Sequence, residues 1–166
     1  MKILISGTPG VGKTTLSKKI KEQFYLKHIE LSEFIIKNDL YTNYNKGLDT
    51  LEFKTNKVRK YLQDYLKNED NFIIDTHTVD IVKKINFDLI FVLRISSDIL
   101  YKRLLERKYN QSKITENIEA EIFGIVEERV YEYFNDESVY IIILDELCEE
   151  NLCNKVSSII NTYINK

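Results

Sequence analysis

The chain has 166 residues, 43% of them hydrophobic, with 24 basic and 26 acidic residues and a formal net charge of −2. That is enough for one sizeable core and makes a second full domain unexpected, so residues 1–166 are read as a single domain. The near balance of charge excludes a surface built wholesale for nucleic acid, although a local basic patch stays open, and two cysteines, Cys148 and Cys153, are too few for a disulfide framework or a four-ligand zinc site and are expected to be reduced and structural.

In chain order, Lys2–Ser6 reads as a short buried strand. It runs into Gly7-Thr8-Pro9-Gly10-Val11-Gly12-Lys13-Thr14-Thr15, which holds three of the five glycines and the single proline. Glycine at the first and sixth positions, then lysine and a hydroxyl residue, is the pattern of a phosphate-binding loop. Backbone N–H groups of residues 10–15 (Gly10, Val11, Gly12, Lys13, Thr14 and Thr15) can turn inward around an anion, Lys13 can neutralise β- and γ-phosphates, and Thr14 can ligate Mg²⁺. Thr14–Phe24 carries helical spacing, so the loop lies between a strand and a helix N-terminus. His28–Leu31 is a weaker strand candidate. Helical periods follow at Val58, Tyr61, Leu62, Tyr65 and Leu66; at Ser96–Lys108; at Ile118, Ile122, Ile125 and Val126; and at Leu152, Val156, Ile159, Ile160 and Tyr163. Between them, Phe72–Ile74, Leu89–Leu93 and Val139–Leu144 are unbroken apolar runs of strand length. Such runs suit strands buried on both faces, and the β-α alternation predicts an α/β fold: a doubly wound, five-stranded parallel sheet with helices on both faces and ligands at the carboxyl ends of its strands. No basic leader precedes a long apolar run and strand residues begin at position 2, so neither a secretion signal nor a membrane span is expected; the expected location is cytoplasmic, and also nuclear if the source is eukaryotic.

The strand ends are therefore where chemistry is sought. Asp75 leaves the apolar strand Phe72–Ile74 where phosphate-loop proteins keep a carboxylate that holds Mg²⁺ through water; the alternative is an aspartate that caps the next turn. His77, one of two histidines, can orient an attacking oxygen or sense a γ-phosphate, or it is an ordinary loop histidine. Arg103 and Arg107, four apart on one helix face, offer planar cationic forks for phosphate or a base, or form a solvated pair with Glu106 or another acid. The polar stretch Lys108–Lys113 has no apolar period and reads as a mobile cover.

These residues carry a resemblance. The phosphate loop, Leu40-Tyr41-x-x-Tyr44, Asp75-x-His77, Phe91-Val92-Leu93-Arg94 and the tract from Leu100-Tyr101-x-Arg103-Leu104-x-x-Arg107-x-Tyr109-Asn110 to Glu121-Ile122-Phe123 closely resemble the adenylate kinase isoenzyme 6 family over most of the chain. The resemblance implies a P-loop nucleoside monophosphate kinase fold with a short lid at about 106–116 and a monophosphate-binding segment at about 31–54. It implies adenylate kinase and ATPase activities on Mg²⁺·ATP and AMP, and a role in maturing small-subunit ribosomal RNA with a uS11-type ribosomal protein. Residues Gly10, Val11, Gly12, Lys13, Thr14 and Thr15 would bind ATP, with Arg103 beside them; Arg107 would be the lid arginine, and Asp75 and His77 the acidic-strand pair, Thr14 and Asp75 holding the metal. Two positions depart from the family: Ile35-Ile36-Lys37 stands where an AMP-directed arginine is typical, leaving Lys37, Arg59 or Arg94 as substitutes, and Lys108 stands where glycine is usual.

Overall fold

The computed structural model describes residues 1–45, 50–145 and 149–165. Five parallel strands, β1 (Lys2–Gly7), β2 (Lys27–Glu30), β5 (Phe72–Asp75), β6 (Leu89–Arg94) and β7 (Val139–Ile143), form one sheet in the order β2-β5-β1-β6-β7. The apolar runs read as strands are these five; only their ends differ, with Leu31 opening a helix instead of closing β2. A separate antiparallel hairpin joins β3 (Tyr41–Asn45) to β4 (Thr50–Phe53). Periodicity alone did not announce it, because the first four β3 side chains are all polar or hydroxylated and all exposed.

The unbroken apolar strands follow from burial on both faces. Successive residues feed opposite cores: Ile3, Ile5, Ile73, Phe91 and Leu93 pack with Leu16, Ile20, Val156 and Ile160 from helices α1 (Lys13–Phe24) and α8 (Glu149–Ile164). Leu4, Ile74, Ile90 and Val92 pack on the other side, against Phe34, Val58, Leu62, Ile81 and Val130. Those come from α2 (Leu31–Lys37), α3 (Thr55–Tyr65), α4 (Val79–Val82) and α7 (Ile125–Tyr133). Burying each such aliphatic or aromatic side chain contributes about 1.5–3 kcal/mol before entropy is charged against it.

Helix α5 (Ser97–Glu106) buries Leu100 and Leu104 and ends at Arg107. The chain then turns through Lys108, whose φ of 57° lies in the left-handed region. The polar stretch read as a mobile cover forms a turn and the start of a helix: the Asn110 side chain accepts from the Lys113 N–H at 2.9 Å and caps α6 (Gln111–Ile122). The period read through Ile118 to Val126 is likewise two helices. Gly124, at φ 65°, ends the first and precedes α7, which leaves Ile122 and Ile125 exposed rather than in one apolar stripe. Among the described residues no helix is long and apolar enough to cross a membrane. Cys153 is a half-buried free thiol, and Cys148 lies outside the described residues, as does 46–49 of the segment expected to bind a monophosphate.

Candidate functional site

Strand β1 lies at the centre of the sheet, between β5 and β6, so the loop after it and the residues after β5 emerge side by side at the carboxyl edge. Gly7 pairs with Leu93, and a β-carbon there would come within 2.5 Å of the Leu93 carbonyl oxygen, so the first glycine of the loop is required by the sheet as well as by any ligand. The loop closes on itself through Val11 N–H to the Thr8 carbonyl, and Gly12, in the left-handed region, opens α1.

Lys13 is 8% exposed; its Nζ donates to the Gly7 carbonyl at 2.8 Å and the Thr8 carbonyl at 3.1 Å. Desolvation pulls its pKa from 10.5 down to about 8, opposed by the charge of Asp75 and reinforced by that of Arg107. Thr14 Oγ1 donates to Asp75 Oδ1 at 3.1 Å, and His28 Nε2 lies 2.6 Å from Asp75 Oδ2. Asp75 does not close the turn that follows it: Thr76 Oγ1 accepts the Thr78 N–H. Glu30, opposite Asp75 in the β2/β5 register, has its pKa raised to about 7, first by desolvation and then by the charges of Asp75 and Glu33.

His77 is exposed toward solvent and makes no hydrogen bond among the described residues. It nevertheless stands among crowded protein atoms and near Lys13 and Lys113, and desolvation, then those two charges, holds its pKa below 6.5; water reaching the ring offsets part of that desolvation, and the imidazole is neutral at pH 7.

Arg103 donates from Nη1 to the Val11 carbonyl at 2.8 Å, tying α5 to the phosphate loop. Arg107, one turn on, is exposed, and its charge reaches Lys13. Neither arginine forms an ion pair among the described residues. Both line a cavity of about 360 Å³ with Gly10, Gly12, Thr15 and Leu152. A second cleft of about 590 Å³ is lined by Lys54, Asn56, Arg59, Thr78 and Asp80. Lys13, Thr14, Asp75 and His77 thus converge at the sheet edge, with Arg103 and Arg107 over the loop.

Of the three substitutes for an absent arginine, Arg94 is committed elsewhere. Its Nε and Nη2 donate to Glu121 and its Nη1 to Glu127. Arg59 donates to the Asp80 carbonyl and Asn56 but borders the second cleft. Lys37 is exposed in the last turn of α2, next to Ile36.

Sequence reasoning passed over two groups. His28 and Glu30 stand two apart on the strand beside Asp75; the signal was strand alternation, usable only once β2 is known to pair with β5. Glu121, 3% exposed, accepts from Thr8 Oγ1 in the loop and from the Ile95 N–H at 3.0 Å, joining the end of α6 to the loop. No spacing on either side signals that pairing across 113 residues.

Thr14 and Asp75 are hard oxygen donors on adjacent elements, the donor type Mg²⁺ takes when substrate phosphates and water complete its shell. No cluster of three or more His, Cys, Asp or Glu able to hold a metal occurs among the described residues.

Residues 3–124 match the family model described as an AAA domain. A Saccharolobus solfataricus protein named "Putative adenylate kinase" is 35% identical over 156 residues, covering 94% of this chain and 81% of that protein. An adenylate kinase isoenzyme 6 homolog of Caenorhabditis elegans is 33% identical over 153 residues, covering 90% and 84%. The Mycoplasma mycoides deoxyadenosine kinase structure with bound dATP superposes with a TM-score of 0.65 over 97% of this chain and all of that one; at 17% identity it speaks for the fold alone. With the phosphate loop, the doubly wound sheet and this similarity along nearly its whole length, the chain belongs to the adenylate kinase isoenzyme 6 family of P-loop proteins.

Proposed function

We propose that this protein transfers the γ-phosphoryl group of Mg²⁺·ATP to AMP, giving two ADP, with accompanying ATP hydrolysis. The observation that carries this reading is the convergence of buried Lys13 with the Thr14–Asp75 pair at the sheet edge, beside one cavity that takes in the phosphate loop and a second that takes in the turn after Asp75. ATP phosphates would lie in the amides of residues 10–15, with the nucleoside in the 360 Å³ cavity under Arg103 and Arg107. Lys13 would exchange its two loop carbonyls for phosphate oxygens, and the anion would hold it protonated.

In the transfer, the bond from the γ-phosphorus to the β,γ-bridging oxygen breaks, and a bond to an AMP phosphate oxygen forms in line with it. The bridging oxygen leaves with the first ADP. Thr14 and Asp75 would hold the Mg²⁺ that comes with the nucleotide, which would supply charge neutralisation on its phosphates. Lys13 and the two arginines stabilise charge on the transferred group, and the α5–α6 turn over the loop excludes water. The acceptor is already an anion, so no base is needed. Its phosphate would approach from the second cleft, whose wall carries the cations Lys54, Lys57 and Arg59.

A second reading is favoured by one observation: α2 carries Ile35-Ile36-Lys37, with Ile36 53% exposed, in the stretch where an AMP-directed arginine is typical of the family. In that reading ATP hydrolysis is a switch in small-subunit ribosomal RNA maturation with a uS11-type protein, and neutral His77 orients the attacking water. The test titrates each nucleoside monophosphate against the protein with Mg²⁺·ATP while following ADP and free phosphate separately. Saturable AMP-dependent ADP formation supports the kinase; phosphate release indifferent to every monophosphate supports the switch.

A further inference from the structure

We propose that His28 is a positioning residue that fixes the Asp75 carboxylate, reserving one of its oxygens for the Thr14 side that faces the metal-bearing nucleotide. The proposal rests on the reading of Asp75 as the metal-directed carboxylate given above.

The placement is a consequence of strand geometry. β2 runs parallel to β5 with His28 opposite Ile73 and Glu30 opposite Asp75. Alternation puts His28, Glu30 and Asp75 on one face of the sheet, the face whose core includes Ile73 and the α1 residues Leu16 and Ile20. The two oxygens of Asp75 are divided: Oδ1 accepts from Thr14 at 3.1 Å, and Oδ2 meets His28 Nε2 at 2.6 Å. A carboxylate only accepts, so Nε2 carries the hydrogen and donates it.

The His28 and Asp75 side chains are 9% and 3% exposed, so water cannot readily replace that donor. Lys13 does not replace it either, since its ammonium hydrogen-bonds to loop carbonyls. With Oδ2 held, rotation of the carboxylate about its last torsion is stopped and Oδ1 keeps its direction. With Oδ2 released, the buried oxygen must find another donor, and the carboxylate is free to turn toward the Thr14 hydroxyl that now bonds Oδ1. Partners that orient a metal-directed carboxylate in this way change metal affinity by about 10- to 100-fold when removed.

The test reads Mg²⁺ without turnover. Binding of a fluorescent ATP analogue is titrated first in EDTA and then with increasing Mg²⁺, on wild type, His28→Phe, His28→Gln, His28→Asn and Asp75→Asn. Glutamine carries its amide nitrogen close to the place of imidazole Nε2, whereas asparagine falls short. The expected result is a Mg²⁺ midpoint raised about 10-fold in His28→Phe and His28→Asn, restored in His28→Gln, with binding in EDTA unchanged in the three His28 variants. Loss of analogue binding in EDTA to the same degree as with Mg²⁺, or equal behaviour of glutamine and asparagine, overturns the assignment and leaves His28 a packing residue. If His28→Phe does not fold, the glutamine and asparagine pair decides alone. A shifted midpoint in Asp75→Asn with none in His28→Phe or His28→Asn sinks the role of His28 only; an unshifted midpoint in Asp75→Asn sinks the metal reading of Asp75 and this proposal with it.

Discussion

Replacing Lys13 by methionine keeps the length of the side chain and removes its charge, and the buried position makes the consequence calculable. Burial takes the lysine pKa from 10.5 to about 8. At about 1.4 kcal/mol per pH unit separating the two values, the folded state disfavours the charged form by about 3 kcal/mol. Because the folded pKa is the lower one, the folded chain binds fewer protons than the unfolded chain between pH 8 and 10.5. The penalty is therefore fully present below pH 8 and is relieved as pH rises through that window. Methionine has no such dependence. It removes the penalty but leaves the Gly7 and Thr8 carbonyls without their donor, each costing about 1 kcal/mol. At pH 7 Lys13→Met is thus expected to be about 1 kcal/mol more stable than wild type while phosphotransfer and hydrolysis both fall on the order of 10²–10³-fold or more. Urea unfolding of both proteins at pH 7 and pH 9.5 checks this: the stability of the variant relative to wild type should fall by about 2 kcal/mol over that interval, turning an advantage of about 1 kcal/mol into a deficit of about 1 kcal/mol. A difference that stays constant with pH would show that the ammonium is as well solvated in the folded loop as in water, and the account of a buried, carbonyl-held lysine would fail.

The two arginines should separate by what they touch. Arg103→Ala loses the bond to the Val11 carbonyl and should cost about 1–2 kcal/mol of stability, whereas Arg107→Ala should change stability by less than about 0.5 kcal/mol yet lower turnover at saturating ATP more than Arg103→Ala; the reverse ranking in urea melts and kcat would contradict their placement. His77→Gly should depress ATP hydrolysis about 10-fold or more while transfer to AMP, whose nucleophile is an anion, falls much less; equal losses in paired phosphate and ADP assays, with and without a uS11-type protein, would remove His77 from water activation. Lys108→Gly should stabilise the protein by about 0.5–1 kcal/mol, because φ of 57° costs a side chain what glycine does not pay; a lower urea midpoint would mean the lysine side chain holds the turn.

The parallel sheet was legible because apolar runs of strand length, unbroken by polar alternation, have few other uses, and Gly7–Thr15 announced its own place between a strand and a helix. Helix ends were harder. Asn110 caps α6 from inside a run that looks featureless by hydrophobic period, and Gly124 splits a period that looks continuous through Val126. The hairpin formed by β3 and β4 escaped notice because β3 is exposed and polar and β4 offers only Leu51 and Phe53 to the core, too short an alternation to stand out. In the candidate site, Lys13 and Thr14 could be named from the spacing of one motif and Asp75 from its place at the end of an apolar strand. The groups that support them come from other segments: His28 reaches Asp75 only through β2–β5 pairing, and Glu121 reaches Thr8 only when α6 folds back on the loop. Pairing and packing across 47 and 113 residues leave no local trace.

The fate of a labelled γ-phosphate tests the central claim most directly. ATP carrying the label only at the γ-position, Mg²⁺ and a saturating concentration of AMP are mixed with the protein, and label is followed into ADP and into free phosphate. The kinase account predicts that label appears as the β-phosphate of ADP, in step with AMP consumed, with only a minor share released as phosphate and with transfer by Lys13→Met lower on the order of 10²–10³-fold or more. Label released as phosphate at the same rate with or without AMP, and none in ADP, would contradict it.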